Sequence, residues 1–365
     1  MNLGSFNQNI YIFLCFILLL LTNSYFSYEE SLVFGASDGF DYFTIAHELG
    51  NLPQETLSYH KAWRFVIPSL VGFISKFFDL NTYLTFRIFA IIGSLSAIYI
   101  FNLILKKLKY ENSHIFFLSL IFIFNPYLFR YFIANPTMLN DLIFVNSALL
   151  IVLSYIKKDK KLFYLGLLLG LLTRQNAIFY LISLILIKII FKNNSFFRLK
   201  DIIFSIILTL LIFSINSNFA NLYTEYNEAY SFINRFNLLT FNYSINEFII
   251  YNLFLLIIII PIFAYAFAER KIFLKKIIKS EFYLLVFFIV FFICSIAYVN
   301  GPNMTGKNLI RLCNLVYPLI MLLVIYPFKL NTNKNIGYKY IYIPIIFSWS
   351  LHPTFSNIKS YLFEF

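Results

Sequence analysis

The sequence predicts an all-α protein, a polytopic transmembrane helical bundle of about eleven spans with interfacial helices in its first external loop. Three observations lead there. The 365-residue chain is 60% hydrophobic and only 13% charged, the balance of an integral membrane protein rather than a water-soluble domain. Apolar runs recur along its whole length, and a helix needs roughly 20 mostly apolar residues to cross a hydrocarbon core about 30 Å thick. Lysines and arginines gather in short segments between those runs, as the positive-inside rule requires. The chain is therefore expected to be one integral membrane domain over residues 1–365, with residues 28–78 as the external loop that carries the chemistry.

Taken in order, spans are expected near residues 9–27, 83–105, 114–130, 139–156, 162–173, 177–191, 201–217, 246–268, 282–299, 309–328 and 338–352. The first resembles a signal peptide but lacks a basic leading region and a small-x-small cleavage site, so it reads as a retained helix. Charge sets the topology. With the N-terminus inside, five loops face the cytoplasm: "KKLK" (106–109), "KKDKK" (157–161), Lys188 to Lys200, "ERKIFLKKIIK" (269–279) and Lys329 to Lys339. They hold 19 of the 29 lysines and arginines, while 12 of the 17 acids fall outside.

The same count decides two ambiguous segments. Were "RFVIPSLVGFISKFF" (64–78) a span, all 19 basic residues would lie outside, so it is laid in the outer interface as an amphipathic helix. Were 162–191 one long span, the last three basic loops would move outside, so it is split at "TRQN" (173–176) into two short helices. The first would reach roughly 18 Å at 1.5 Å per residue, too short to cross. The break at Arg174 is thus expected beneath the outer surface, in a wet or protein-lined cavity.

Several function classes fall away. The formal net charge is +12, but its basic residues sit in loops between spans, so no nucleic-acid partner is expected. Cys15, Cys294 and Cys313 lie in apolar runs without CxxC spacing and read as buried apolar side chains. The four histidines show no HxxxH spacing. His47, Glu48 and His60 share the first external loop and could together hold a divalent cation, though no certain cofactor is implied. The abundance of Phe, Ile, Tyr, Asn and Lys points to an AT-rich, bacterial genome and so to a bacterial inner membrane.

The chemistry is expected in "GASDGFDYFTIA" (35–46), just past the first span. A carboxylate fixed at the membrane boundary can act as general base toward a hydroxyl. Asp38 and Asp41 are both candidates; the plain alternative is a pair of solvated loop acids. Gly39 is expected to permit a tight turn, with Tyr42, Ile45 and Ala46 on one face of a following helix. Farther on, "NPYLFRYFIANPTMLND" (125–141) has two Asn-Pro steps that mark breaks in the chain. Arg130 and Asp141 there either form an ion pair or line an acceptor groove.

A first span, then "DGFDYFTIA", then an interfacial segment with "WRFVIP", resembles the GT-C superfamily of membrane glycosyltransferases, in particular its protein-mannosyltransferase and aminoarabinose-transferase branch. Asp38, with Tyr42 and Ala46 behind it, occupies the place of that family's acid in the first external loop. The family's second acid is not at position 39, which is glycine; Asp41 either replaces it or is unrelated. "LLLGLLTRQNAIFYLISLIL" (167–186) is similar to the family's short helix pair with a basic residue at the turn, and "NGPNMTGKNLIRLCNLVYPL" (300–319) to its last external loop.

The resemblance implies transfer of a hexose or pentose from a polyprenyl-phosphate carrier to an acceptor hydroxyl, with inversion, on the external, periplasmic face. It implies Asp38 or Asp41 as the base, and a glycan, lipid or protein as acceptor. The residues themselves point to the same place. Charges at membrane depth need an anion or a cavity, and guanidinium groups grip phosphate bidentately. Arg174 is the first candidate for the carrier phosphate, followed by Arg64 and Arg311; snorkelling to headgroups is the alternative for each. Two other functions suit a polytopic chain with broken helices and buried charges: a transporter or lipid flippase, and an O-antigen-type polymerase.

Overall fold

The computed structural model of the protein describes residues 38–52, 57–123, 125, 128–191, 196–224, 244–268, 280–299 and 309–326, with Ile10 and Ile17 singly. Among these residues the chain is helical, with no strand. Three helices are long and apolar enough to cross a membrane: Thr82–Lys107, Pro136–Lys157 and Leu199–Tyr223. The expected spans 9–27 and 338–352 lie outside the described residues.

The first loop folds into α1 (Asp38–His47), α2 (Tyr59–Ala62) and α3 (Val66–Phe77). Helix α3 has 12 residues, roughly 18 Å, and does not reach across a bilayer. It buries Ile67, Val71, Gly72 and Ser75 and leaves Leu70, Phe73 and Phe77 exposed. Glycine at position 72 is dictated by contact: a Cβ there would collide with the backbone carbonyl of Ala46, so α1 and α3 touch backbone to backbone.

Helix α4 (Thr82–Lys107) starts at Asn81, whose side chain accepts from the backbone N–H of Tyr83 at 2.9 Å and of Leu84 at 3.1 Å. Its 26 residues cover roughly 39 Å, ample for a span. The expected span 114–130 is shorter than the sequence suggested. Helix α5 (Asn112–Ile123) stops before the Asn125-Pro126 step, and α6 (Phe129–Ala134) follows as a separate short piece. Proline clashes with the carbonyl four residues back and drives the residue before it out of the helical region, so the apolar run cannot stay one helix.

A 3₁₀ turn (Pro136–Met138) then leads into α7 (Leu139–Lys157), the central helix, buried over 89% of its apolar window. Lys158 adopts a left-handed conformation, and Asp159 caps α8 (Lys160–Thr173) by accepting from Lys161 and Leu162 N–H. At Arg174 the backbone is extended; a 3₁₀ turn (Gln175–Ala177) and α9 (Ile178–Ile190) follow. The split expected at 173–176 is therefore present, with helices of 14 and 13 residues on its two sides.

The remaining elements are α10 (Leu199–Tyr223), α11 (Ile245–Ala268), α12 (Glu281–Val299), α13 (Leu309–Asn314) and α14 (Tyr317–Ile325). The last two correct the expected continuous span 309–328. Pro318 sits in the first turn of α14, where its missing N–H costs nothing; inside an unbroken helix its ring would strike the carbonyl of Asn314.

Polar contacts sort the helix ends into two groups. At one end Tyr155 donates to Glu281 at 2.5 Å, Lys160 pairs with Asp201 at 2.5 Å, and Tyr110 donates to the carbonyl of Ile325 at 3.3 Å. This end also carries Lys106 and Lys107 in the last turn of α4 and Lys157 in that of α7. At the other end Leu57 N–H donates to the carbonyl of Tyr223 at 3.1 Å, Tyr59 bonds Ser217 at 2.9 Å, and Trp63 and Phe65 pack on Phe213 and Phe219. The first loop thus lies against the C-terminal half of α10.

Candidate functional site

The second end holds the charged cluster. Its centre is Asp141 in the first turn of α7, where the helix's free N–H groups favour a negative charge. Arg174 comes from the break between α8 and α9. Its Nε donates to Asp141 Oδ1 at 2.9 Å, and its Nη2 donates to the same oxygen. The two side chains are 3% and 0% exposed. The residue expected to need an anion at depth therefore has one from its own chain. Arg130, named in the sequence as a possible partner of Asp141, has a side chain outside the described residues.

Arg311 approaches from α13. Its Nε lies 3.6 Å from Asp141 Oδ2, and its Nη1 donates a long bond, 3.5 Å, to the hydroxyl of Tyr131 in α6. Helix α13 is tied to the first Asn-Pro step, because Asn125 Nδ2 donates to Asn314 Oδ1 at 2.8 Å. Arg64 enters from the link between α2 and α3. Its Nη1 donates to the buried hydroxyl of Tyr42 at 3.0 Å, and its backbone carbonyl accepts from Asn140 Nδ2 at 3.2 Å. Arg64, Arg311 and Tyr42 all lie near enough to act electrostatically on Arg174. Four of the residues expected to bind substrate, Tyr42, Arg64, Arg174 and Arg311, thus gather at one end, with Arg174 and Arg311 beside the Asp141 carboxylate.

The expected bases lie on α1, beside this cluster. Position 38 opens the helix, one turn before Tyr42; the Asp38 side chain is outside the described residues. Asp41 pairs with Lys61 at 3.0 Å, each side chain 17% exposed. Gly39 plays a different part from the tight turn expected of it. It is helical, and a Cβ there would collide with Thr137 Oγ1, so it lets α1 lie against the 3₁₀ turn that precedes Asp141. His47 Nε2 and Glu48 Oε1 are 4.0 Å apart on the surface. Among the described residues no three metal-ligating side chains come together.

Sequence reasoning missed Asn140 and Tyr131. Asn140 is fully buried, and its Oδ1 accepts no hydrogen bond among the described residues. A signal existed in "NPTMLND": a proline-marked break followed at once by two polar residues opening an otherwise apolar helix. No known family model, no curated protein and no solved structure matches this chain.

Proposed function

We propose that the chain is a membrane glycosyltransferase of GT-C type that moves a sugar from a polyprenyl-phosphate carrier to an acceptor hydroxyl on the external face. The observation that supports this reading is the gathering of Arg64 and Arg311, from distant stretches of the chain, close to the buried Arg174–Asp141 pair and next to α1. A cluster of arginines at one end of the bundle offers donors to an anion that lipid would otherwise exclude. A phosphate on a lipid tail is the anion that reaches such a depth.

In this mechanism Asp38 removes the proton of the acceptor hydroxyl. The oxygen attacks the anomeric carbon, the bond to the carrier phosphate breaks, and the configuration inverts. Arg64 and Arg311 neutralise the departing phosphate, and Arg174 holds Asp141 in place between them. Fixed donors aimed at developing charge are typically worth on the order of 10² to 10³ in rate each. Asp41, held by Lys61, orients the start of α1.

The same cluster would also suit a carrier that moves an anionic lipid without breaking a bond. One assay separates the two. Purified protein in liposomes is given labelled polyprenyl-phosphate sugars of several kinds together with acceptor, and both sugar transfer and lipid translocation are followed. Transfer that depends on Asp38 is expected. Translocation without transfer would replace this reading with the transporter.

A further inference from the structure

Asp141 engages its two arginines unequally. Oδ1 takes two hydrogen bonds from Arg174, through Nε and Nη2. Oδ2 takes none among the described residues, and stands 3.6 Å from Arg311 Nε, beyond hydrogen-bond reach. Both groups are well shielded, with Asp141 0% and Arg311 11% exposed. The supports differ as well. Arg174 leaves a backbone locked between α8 and the 3₁₀ turn, its N–H donating to the Gly170 carbonyl at 2.8 Å. Arg311 sits on a six-residue helix bounded by the Pro318 break. One arginine is fastened to the carboxylate; the other is only near it.

We propose that Asp141 is a built-in counter-ion that holds Arg174 permanently and Arg311 displaceably, and that the phosphate group of a lipid-linked ligand takes over Arg311 from it. The carboxylate balances part of the guanidinium charge beside it, which lowers the cost of holding Arg174 and Arg311 there. When the phosphate enters, Arg311 turns to it, and Arg174 keeps Asp141 from following. The same carboxylate then repels the bound phosphate and helps it leave. Asp141 is a positioning residue that sets the affinity of the site, trading tight binding for release. The inference rests on reading this end as a phosphate site, and it does not depend on sugar transfer.

The direct test is binding to the full chain in nanodiscs, with polyprenyl phosphate, uncharged polyprenol and inorganic phosphate as probes. Asp141→Asn keeps the shape and an acceptor for Arg174 but removes the charge. It should bind polyprenyl phosphate roughly tenfold more tightly than the wild type, with polyprenol unchanged, as expected when one like charge leaves an anion site. In turnover, KM and kcat should fall together, because release slows. The gain should vanish in the double variant Asp141→Asn, Arg311→Ala. Equal or weaker phosphate binding by Asp141→Asn, or a gain that survives the loss of Arg311, overturns the proposal.

Should Asp141→Asn fail to purify as a folded protein, Arg311→Ala alone decides. It should lose about tenfold in polyprenyl-phosphate affinity and none for polyprenol, and unchanged phosphate binding overturns the proposal. A gain with inorganic phosphate as well as the lipid supports the counter-ion and shows that the headgroup suffices. A gain with the lipid alone supports it and shows that the tail is needed. Transfer is scored on the same preparations. If Asp141→Asn shows the gain while the wild type moves no sugar, the transferase reading falls and the counter-ion stands.

Discussion

The two ends of the bundle each carry a carboxylate paired with a cation, and the pairs are built differently. At the lysine-rich end Asp201 accepts from Lys160 at 2.5 Å, from the Tyr164 hydroxyl at 3.2 Å and from Arg198 N–H at 2.9 Å. Both oxygens are used, and Lys160 is 35% exposed. That carboxylate is saturated, and it clamps the start of α10 to the start of α8. At the other end Asp141 is fully enclosed, one oxygen makes no hydrogen bond among the described residues, and Arg174 and Arg311 lie beside it, with Arg64 close to Arg174. The first is a brace. The second gathers arginines from three separate stretches of the chain near one buried ion pair. The presence of an ion pair alone does not tell a simple fastening from a cluster of several cations; the surroundings of the pair do.

Removing one side of each pair should break the symmetry most visibly. Arg174→Ala leaves Asp141 buried without its main partner, which costs about 3–5 kcal/mol. Thermal unfolding in detergent should show a large drop, and transfer should be lost. A paired replacement, Arg174→Met with Asp141→Leu, should regain much of the stability while remaining inactive. If Arg174→Ala unfolds like the wild type, the buried pair is not the keystone of this end.

Next in size are the arginines assigned to the phosphate. Arg64→Ala and Arg311→Ala should fold, and each should reduce transfer on the order of 10² to 10³. Lysine at either position should recover only part, since a point charge replaces a planar fork. Among the acids, Asp38→Asn should abolish transfer without loss of protein. Asp41→Asn should cost less, because its carboxylate is already engaged by Lys61. Equal and mild effects from both would return them to the status of loop acids.

The smallest effect is expected at the brace. Lys160→Ala should destabilise by about 1 kcal/mol or less, because a partly exposed pair is screened by water, and transfer should be unchanged. Orientation is tested separately. Reporters fused after residues 50, 225 or 305 should read outside, and those after 109, 160 or 275 inside. An inside signal at residue 50 would put the site on the wrong face.

Much of this frame was legible in the sequence, for reasons that are local. Helix α7 and the break at Arg174 follow from hydropathy and from the placement of lysines, which act over a few residues. The arginines at 64, 174 and 311 stood out because charge is costly in apolar surroundings. The spans expected at 114–130 and 309–328 are each interrupted near a proline, the first at an Asn-Pro step that the sequence marks as a break. A hydropathy window registers an apolar proline or its neighbours as membrane-compatible, whereas the backbone at Asn125 and near Pro318 cannot remain helical. Gly39 was misjudged because its requirement comes from Thr137, far along the chain. The partner of Asp141 was not legible either. Arg174 and Arg311 are brought to it by packing of α8 and α13, which no spacing rule encodes, while the side chain of Arg130, its expected neighbour, lies outside the described residues.

The central claim is that the arginine end binds a lipid-linked phosphate and the lysine-rich end does not. It is tested most directly by measuring the affinity of the purified chain for a polyprenyl-phosphate sugar and for uncharged polyprenol, in wild type, Arg64→Ala, Arg311→Ala and Lys160→Ala. Selective binding of the phosphate form is expected, reduced about tenfold or more by either arginine substitution and untouched by Lys160→Ala. Phosphate and polyprenol bound alike, or Arg64→Ala and Arg311→Ala indistinguishable from Lys160→Ala, would contradict it.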